Sequence, residues 1–361
     1  MIEVIVNRPS FEYDIHSLVK SFFPREDVQI HVQDTFSEDT ALRISVEFTD
    51  ETVSICLMEQ GEEKESGASV INYAERKETK NRLKRQLYQL LCTYTGQTLP
   101  WGTLTGIRPA KIAMGLIEQG MSNVETAEYM RNTYLASKEK VALSVMIANR
   151  ERYVLRNIDY KDGYSLYVGI PFCPSICLYC SFSSYPLERW RKQVDQYLDA
   201  LCKELDYVAD RFRDKKLNTV YIGGGTPTTL EPYQLDRLLT RIQRKFDTEY
   251  LQEFTVEAGR PDSITREKLQ VLLDHGIDRI SINPQTMNQK TLEIIGRRHT
   301  VDQVKEAFTL ARSMGFAHIN MDLIAGLPGE DAADMQDTLE KIEKLHPDSL
   351  TVHALAIKRA A

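Results

Sequence analysis

Apolar and polar positions divide this chain into two regions with different rhythms. Residues 1 to about 160 open with a short apolar run at 2–6. An amphipathic stretch follows, carrying Ile15, Leu18, Val19, Phe22 and Phe23. Alternating runs come next at 28–32, 42–48 and 53–58. Alternation with period two predicts half-buried strands, so this region reads as a small α+β unit built on an antiparallel sheet. Residues 62–67 read as a polar hairpin or loop. From 74 to 94 the period turns helical. The basic side chains there (Arg76, Lys77, Lys80, Arg82, Lys84 and Arg85) read as a solvated helix face rather than a nucleic-acid footprint. Gly, Pro and Trp then interrupt the pattern in TLPWGTLTGIRPAKIAMGLIEQG, and 123–157 reads as helical throughout.

From Ser165 the rhythm becomes strand, then helix, repeated. Apolar strand-length runs fall at 166–170, 219–222, 254–257, 279–282, 319–323 and 349–354. Amphipathic stretches at 188–213, 232–245, 265–275, 289–295 with 301–314, and 332–345 separate them. Short strands alternating with helices predict a parallel sheet with crossover connections. Six such units fall short of the eight-unit closed barrel. The fold expected is therefore α/β, an open (β/α)6 partial barrel over residues 161–361, preceded by an α+β and helical unit over 1–160. The chain stops at AIKRAA, just past the sixth strand and with no helix to cover it, which reads as a truncation before a C-terminal domain.

Charge and composition narrow the partners. The net charge is −7, against the basic surface that nucleic-acid binding needs. No stretch approaches the roughly 20 apolar residues of a membrane span. The start, MIEVIVNRPSFEYD, lacks an export signal, so the cytoplasm is the expected compartment. Six cysteines in such a chain do not suggest a disulfide framework. Cys56, Cys92 and Cys202 sit singly among apolar neighbours and read as small core residues.

The other three are packed into eight residues, in LYVGIPFCPSICLYCSFSSYP. The first strand ends near Gly169, which puts Cys173, Cys177 and Cys180 in the loop beyond its C-terminal edge. In α/β folds chemistry collects at that edge. Thiolates suit iron–sulfur clusters and zinc. Structural zinc asks for four ligands, usually in two separated pairs. Here there is no second pair, and the nearest histidine in sequence is His275. Three ligands on one loop leave one metal position open to a substrate or cofactor.

This CxxxCxxC segment, with Tyr179 before the last cysteine, resembles the radical S-adenosylmethionine superfamily. Within it the resemblance is to the oxygen-independent coproporphyrinogen III oxidase family, on the HemZ branch. It implies that the three cysteines hold three irons of a [4Fe–4S] cluster. It further implies that the fourth iron chelates S-adenosylmethionine, and that one electron breaks a C–S bond to give a 5′-deoxyadenosyl radical. Other motifs match in order along the sheet. Gly224, Gly225 and Thr226 of GGGTP correspond to the cradle for the methionine end, where glycine lets backbone approach a ligand. Glu257, ending the third strand in FTVEAGRPD, corresponds to an acid that contacts the cofactor. An unpaired carboxylate there is costly as packing. Gln285, in SINPQTMN, corresponds to a second polar contact. Arg297, in IIGRRHT, corresponds to the partner of the methionine carboxylate, with Arg298 as rival. Asp322 corresponds to the acid on the ribose hydroxyls, the Ala356 backbone to the group that reads adenine, and Tyr167 to the tyrosine near the sulfonium.

Two positions depart from the oxidase pattern. Phe182 stands where the oxidases carry a further cysteine, and Gly169 where they carry a histidine. The resemblance implies an enzyme of heme biosynthesis that decarboxylates coproporphyrinogen III, with a flavodoxin or ferredoxin as electron donor. Relatives lacking the fourth cysteine act as heme chaperones, which is the alternative the Phe182 position favours. Another radical reaction on a tetrapyrrole is a third reading. Residues 104–111, LTGIRPAK, resemble the N-terminal segment of the HemZ branch and carry no derived role.

Overall fold

The computed structural model describes residues 1–32, 40, 42–106 and 108–355. The chain divides into two compact units, Met1–Arg156 and Asn157–Ala361.

The first unit is built on a five-stranded sheet. In chain order its elements are β1 (Ile2–Val6), α1 (Glu12–Phe22), β2 (Val28–Val32), β3 (Leu42–Phe48), β4 (Thr52–Glu59), β5 (Glu62–Val70) and α2 (Arg76–Thr95). The strand order is β2-β1-β3-β4-β5. The sheet is mixed, not antiparallel as the alternation suggested. β1 runs parallel to both β2 and β3, while β3, β4 and β5 are antiparallel. The reason is α1, which returns the chain between β1 and β2 as a crossover, and a crossover makes neighbours parallel. The stretch at 62–67, expected as a polar hairpin or loop, is the start of β5, the second strand of an antiparallel hairpin with β4. Its residues are polar because β5 is an edge strand, where charge discourages further pairing.

Helices α1 and α2 bring Ile15, Leu18, Val19, Leu83, Leu87 and Leu91 against Val4, Ile44 and Ile55 in one core. The basic face of α2 is only partly solvated. Arg82 and Arg85 pair with Glu78 at 3.2 and 2.9 Å, whereas Lys84 is buried. Cys56 and Cys92, expected in the core, are half-buried, and only Cys202 is buried. Three further helices, α3 (Pro109–Glu118), α4 (Asn123–Tyr134) and α5 (Lys138–Val154), close on a small core of Ala113, Met130, Val141 and Ala148. Ser122 and Ser137 cap α4 and α5 through their hydroxyls.

The second unit begins with β6 (Gly163–Ile170) and a two-residue pair, β7 (Phe172–Cys173) with β8 (Tyr185–Pro186). A short α6 (Leu187–Trp190) and the long α7 (Val194–Arg211) follow. Then strands and helices alternate: β9 (Lys216–Gly224), α8 (Pro232–Lys245), β10 (Glu253–Glu257), α9 (Arg266–Asp274), β11 (Arg279–Ser281), α10 (Gln289–Ile294), α11 (Val301–Met314), β12 (His318–Ala325), α12 (Ala332–Glu343) and β13 (Ser349–Ala354). The six long strands form one all-parallel sheet in chain order, from β6 at one edge to β13 at the other. It is the open (β/α)6 arrangement that the strand–helix rhythm predicts.

Register explains how one sheet serves two purposes. Val168, Ile222, Val256, Ile280 and Ile319 lie in one row across five strands. All are buried, and they join Leu235, Leu239, Leu269 and Phe308 of the helices in the core. One residue away on each strand the side chains point to the opposite face. That face carries a row of Tyr167, Tyr221, Thr255, Arg279 and His318, and a row of Glu257, Ser281, Asn320 and Ser349. The helices therefore cover an apolar face, and the polar face is left for chemistry.

Candidate cluster and cofactor site

Cys173, Cys177 and Cys180 lie in the 171–184 loop that leaves the C-terminal end of β6. The loop is tied down on two sides. On one side the glycine turn after β9 holds it: the Gly225 amide donates to the Ile170 carbonyl at 2.7 Å, and the Thr226 amide to the Phe172 carbonyl at 2.8 Å. Glycine is required at Gly224, which has φ +108°, and at Gly225. A Cβ on Gly225 would fall 2.7 Å from the Phe172 carbonyl oxygen and 3.0 Å from Cys173 Sγ. On the other side the turn after α10 holds it. The Leu178 amide donates to the Ile295 carbonyl at 3.0 Å, and Ser175 Oγ to the Gly296 carbonyl at 2.8 Å.

Each thiol has a polar neighbour. Thr226 Oγ1 donates to Cys173 Sγ at 3.5 Å. Arg260 Nη1 donates to Cys177 Sγ at 3.7 Å and to the Ser175 carbonyl at 3.3 Å. Cys180 Sγ lies 3.8 Å from Ser184 Oγ. Burial pushes the Cys173 thiol up, with Cys177 and Cys180 adding to it, while Thr226 and Arg260 pull the other way. Arg260 is itself buried and is held by Asp262 at 3.1 Å. A buried guanidinium beside thiols is a fixed positive charge that favours thiolates.

Arg297 is buried, whereas its neighbour Arg298 is exposed. Its Nη1 donates to the Asn283 carbonyl and its Nη2 to Tyr179 Oη at 3.2 Å, and its Nε has no partner among the described residues. Burial opposes its charge, but Tyr179 and Cys177 hold it above its ordinary value. His299, two residues on, is fully buried, and neither ring nitrogen makes a hydrogen bond among the described residues. Its Nδ1 is 3.9 Å from Asp262. Burial, then Arg297 and Arg260, bring it down to about 3.

The polar face of the sheet carries the rest. The Tyr167 ring, 61% exposed, stacks on Tyr221 with centroids 6.1 Å apart and planes 11° apart. Tyr221 Oη donates to Glu257 Oε1 at 2.5 Å. Burial, and secondarily Asp322, raise the Glu257 carboxyl, while Tyr221 lowers it. Asn320 Nδ2 donates to Asp322 Oδ1 at 2.7 Å and to Ser281 Oγ at 3.1 Å. Gln285, at φ +70°, is buried, and its amide donates to the Asp322 carbonyl at 2.9 Å. Phe182 is 73% exposed on the cysteine loop. Ala356 lies outside the described residues.

The structure thus brings the expected residues to one edge in two groups. The cysteines, Thr226 and Arg297 form one; Tyr167, Glu257, Gln285 and Asp322 form the other. Arg260, Asp262, His299, Tyr221 and Asn320 belong with them and escape the sequence reading. Arg260 had a signal, since it follows Glu257 by three residues in the same FTVEAGRPD segment. His299 and Asn320 had none, because only the turn after α10 and the strand register place them. Among the described residues, no three or more His, Cys, Asp and Glu side chains are placed so that they could hold a single metal ion. A four-iron cluster takes one thiolate on each of three irons, so three separated sulfurs on one loop suit it. The donor set, the glycine contact at Cys173 and the orphaned Arg297 N–H fit a cluster with a chelating cofactor.

The chain is similar to known proteins in sequence and in fold. A model of the radical SAM superfamily matches residues 167–342. Over 289 residues, 79% of this chain, the sequence is 43% identical to the oxygen-independent coproporphyrinogen-III oxidase-like protein HemZ of Bacillus subtilis, 58% of which is covered. The heme chaperone HemW of Lactococcus lactis is 39% identical over 194 residues, 54% of this chain and 49% of HemW. Among solved structures, coproporphyrinogen III oxidase (HemN) from Escherichia coli, a radical SAM enzyme, superposes with a TM-score of 0.51 at 30% identity. That match covers 58% of this chain and 48% of HemN. The chain spans about half the length of these relatives. The cofactors of this family are a [4Fe–4S] cluster and S-adenosylmethionine.

Proposed function

Because the chain carries a radical SAM domain and is homologous to HemZ and HemN, we propose that it is a radical S-adenosylmethionine enzyme of heme biosynthesis. Its reaction is the oxygen-independent oxidative decarboxylation of coproporphyrinogen III to protoporphyrinogen IX. The carrying observation is the three-thiol loop pinned between the glycine turn and Arg260, at the open end of a parallel sheet whose polar face is lined with hydrogen-bonded carboxylates.

In this reading Cys173, Cys177 and Cys180 hold three irons of the cluster. When bound, the cluster supplies the electron that cleaves a C–S bond of S-adenosylmethionine. Arg260 orients Cys177 and stabilises its thiolate form. Gly224, Gly225 and Thr226 let backbone reach the methionine end. Arg297 offers its guanidinium to the methionine carboxylate. Asp322, kept in place by Asn320, receives the ribose hydroxyls. Glu257 and Gln285 add polar contacts, the Ala356 backbone reads adenine, and Tyr167 stands beside the sulfonium. The electron donor is a flavodoxin or ferredoxin. The compartment is the cytoplasm, and no helix of the described residues is long and apolar enough to cross a membrane.

A second reading is a heme chaperone of the same family. Phe182 supports it: an exposed apolar ring stands where the oxidases carry a further cysteine, and relatives named heme chaperone match over the same domain. One experiment separates the two. The anaerobically reconstituted protein is incubated with S-adenosylmethionine, reductant and coproporphyrinogen III. Protoporphyrinogen is expected. Formation of 5′-deoxyadenosine without tetrapyrrole turnover would remove the oxidase and keep the radical reading. Stoichiometric heme binding with no 5′-deoxyadenosine would establish the chaperone instead.

A further inference from the structure

The first unit contains a cavity that the reaction above does not use. It has a volume of about 270 Å³ and lies beside α2. Lys77, Lys80, Asn81 and Lys84 line it, at positions i, i+3, i+4 and i+7 of the helix. That spacing makes one helix face, the pattern by which a helix usually presents apolar side chains to a core. Here it presents three ammonium groups and an amide. The opposite wall comes from Thr105 and its neighbours in the 104–111 segment, the motif left without a role above.

Three observations point to an anion. First, Lys84 is 7% exposed, and its Nζ donates to one neutral acceptor, Thr105 Oγ1 at 2.9 Å. A buried ammonium is costly unless paired, and burial lowers the affinity of Lys84 for its proton. Second, the only carboxylate on the cavity wall among the described residues is Asp14, 3.8 Å from Lys80 Nζ and 3.9 Å from Lys84 Nζ. Three lysines against one aspartate leave a surplus of two positive charges. Third, Asn81 is 7% exposed, lines the cavity, and makes no side-chain hydrogen bond among the described residues. Its amide therefore has donor capacity left for a ligand in the cavity it lines.

We propose that this cavity binds a small phosphate dianion, either inorganic phosphate or the phosphate group of a monoester. The volume of about 270 Å³ suits a small ligand, since pockets for drug-sized molecules begin near roughly 300 Å³. Chemistry selects phosphate over carboxylate. Planar carboxylates favour the two-pronged arginine fork, whereas lysines bind tetrahedral phosphate as point charges, and no described arginine lines the cavity. The charge surplus matches a dianion, and Asn81 and Thr105 supply neutral contacts.

Isothermal titration calorimetry on the whole protein tests this, with sodium phosphate and glycerol 3-phosphate as probes and acetate and chloride at matched ionic strength as controls. Saturable, one-site binding of phosphate or the ester is expected, and the tighter of the two identifies the source. Lys80→Gln, at a half-exposed position, is expected to weaken binding about tenfold or more. Asp14→Asn removes the competing anion and is expected to tighten it severalfold. A merely structural ion pair would not produce that opposite sign. Lys84→Met should abolish binding, but it risks the fold, so the first two variants carry the decision. Absence of saturable binding with both probes, equal heats with acetate, or affinities that neither Lys80→Gln nor Asp14→Asn alters would overturn the assignment.

Discussion

The two sheets use the same period-two alternation for different ends. In the first unit β4 buries Val53, Ile55 and Leu57, while the intervening Ser54, Cys56 and Met58 are half-buried. A sheet with one covered face shows this by default. In the second unit the positions between the apolar ones are Tyr167, Tyr221, Glu257, Asn320 and Asp322, and they hydrogen-bond or stack with one another, Tyr167, Tyr221 and Glu257 across strands and Asn320 with Asp322 along β12. Parallel sheets covered on both faces read as near-continuous apolar runs. Alternation in a parallel sheet therefore says that one face is reserved for something other than packing.

The largest test of that contrast is removal of a thiol on each side. Cys177→Ala is expected to abolish iron retention after anaerobic reconstitution and with it all 5′-deoxyadenosine formation, while far-UV circular dichroism stays native. Cys56→Ala, in the first unit, should leave iron content unchanged. If Cys177→Ala kept a full cluster, the three-thiol loop would not be the cluster site.

Next in size is the apolar row. Ile280→Ala deletes a fully buried side chain between β10 and β12 and is expected to cost about 2–5 kcal/mol. Asn320→Ala, one register step toward the polar face, removes side-chain hydrogen bonds and should cost about 1 kcal/mol. Urea denaturation of both variants measures the difference. Equal losses would mean that the two faces are not distinct environments.

The third test is acid. His299 is buried neutral, with a folded-state value of about 3 against an ordinary 6.5. The unfolded chain therefore binds a proton that the folded chain refuses. The stability from this group is complete above about pH 6.5 and falls with pH below it, so by pH 5.5 about 1.4 kcal/mol is lost. His299→Gln should flatten that part of the profile. An unchanged slope between pH 7.5 and 5.5 in the variant would show that other groups carry the acid sensitivity.

What the sequence makes legible follows from what each signal depends on. The six strands of the second unit, and helices such as Pro232–Lys245 and Val301–Met314, follow from periodicity because burial on one face dictates it. The cysteine loop is legible because three thiols in eight residues have few other uses. Direction in the first sheet is not, since period two is the same for parallel and antiparallel neighbours. β5 is hidden because an edge strand has no apolar face to display. The Lys84 cavity is hidden because a basic helix face looks alike whether water or a wall lies opposite. His299 is hidden because its partner Asp262 is 37 residues away in the chain, and Arg260, signalled only by its place after Glu257, meets a thiol 83 residues away.

The smallest effect concerns the pair at the centre of the polar face. Tyr221→Phe keeps the ring, and with it the stack on Tyr167, but removes the donor to Glu257. The lost hydrogen bond should cost about 1 kcal/mol. The sharper readout is the carboxyl itself. Burial and Asp322 already hold Glu257 above the ordinary glutamate value, and Tyr221 is the contact that works against them. Without it the carboxyl should rise further and stay protonated to higher pH, which carboxyl-carbon NMR titration detects. A matched Tyr88→Phe change in the first unit also removes a hydroxyl, one that donates to the Leu99 carbonyl, and it should leave the Glu257 titration where it was. Should Glu257 titrate identically in Tyr221→Phe and the native chain, the polar face would be a surface like that of the first sheet, not a coupled set of groups.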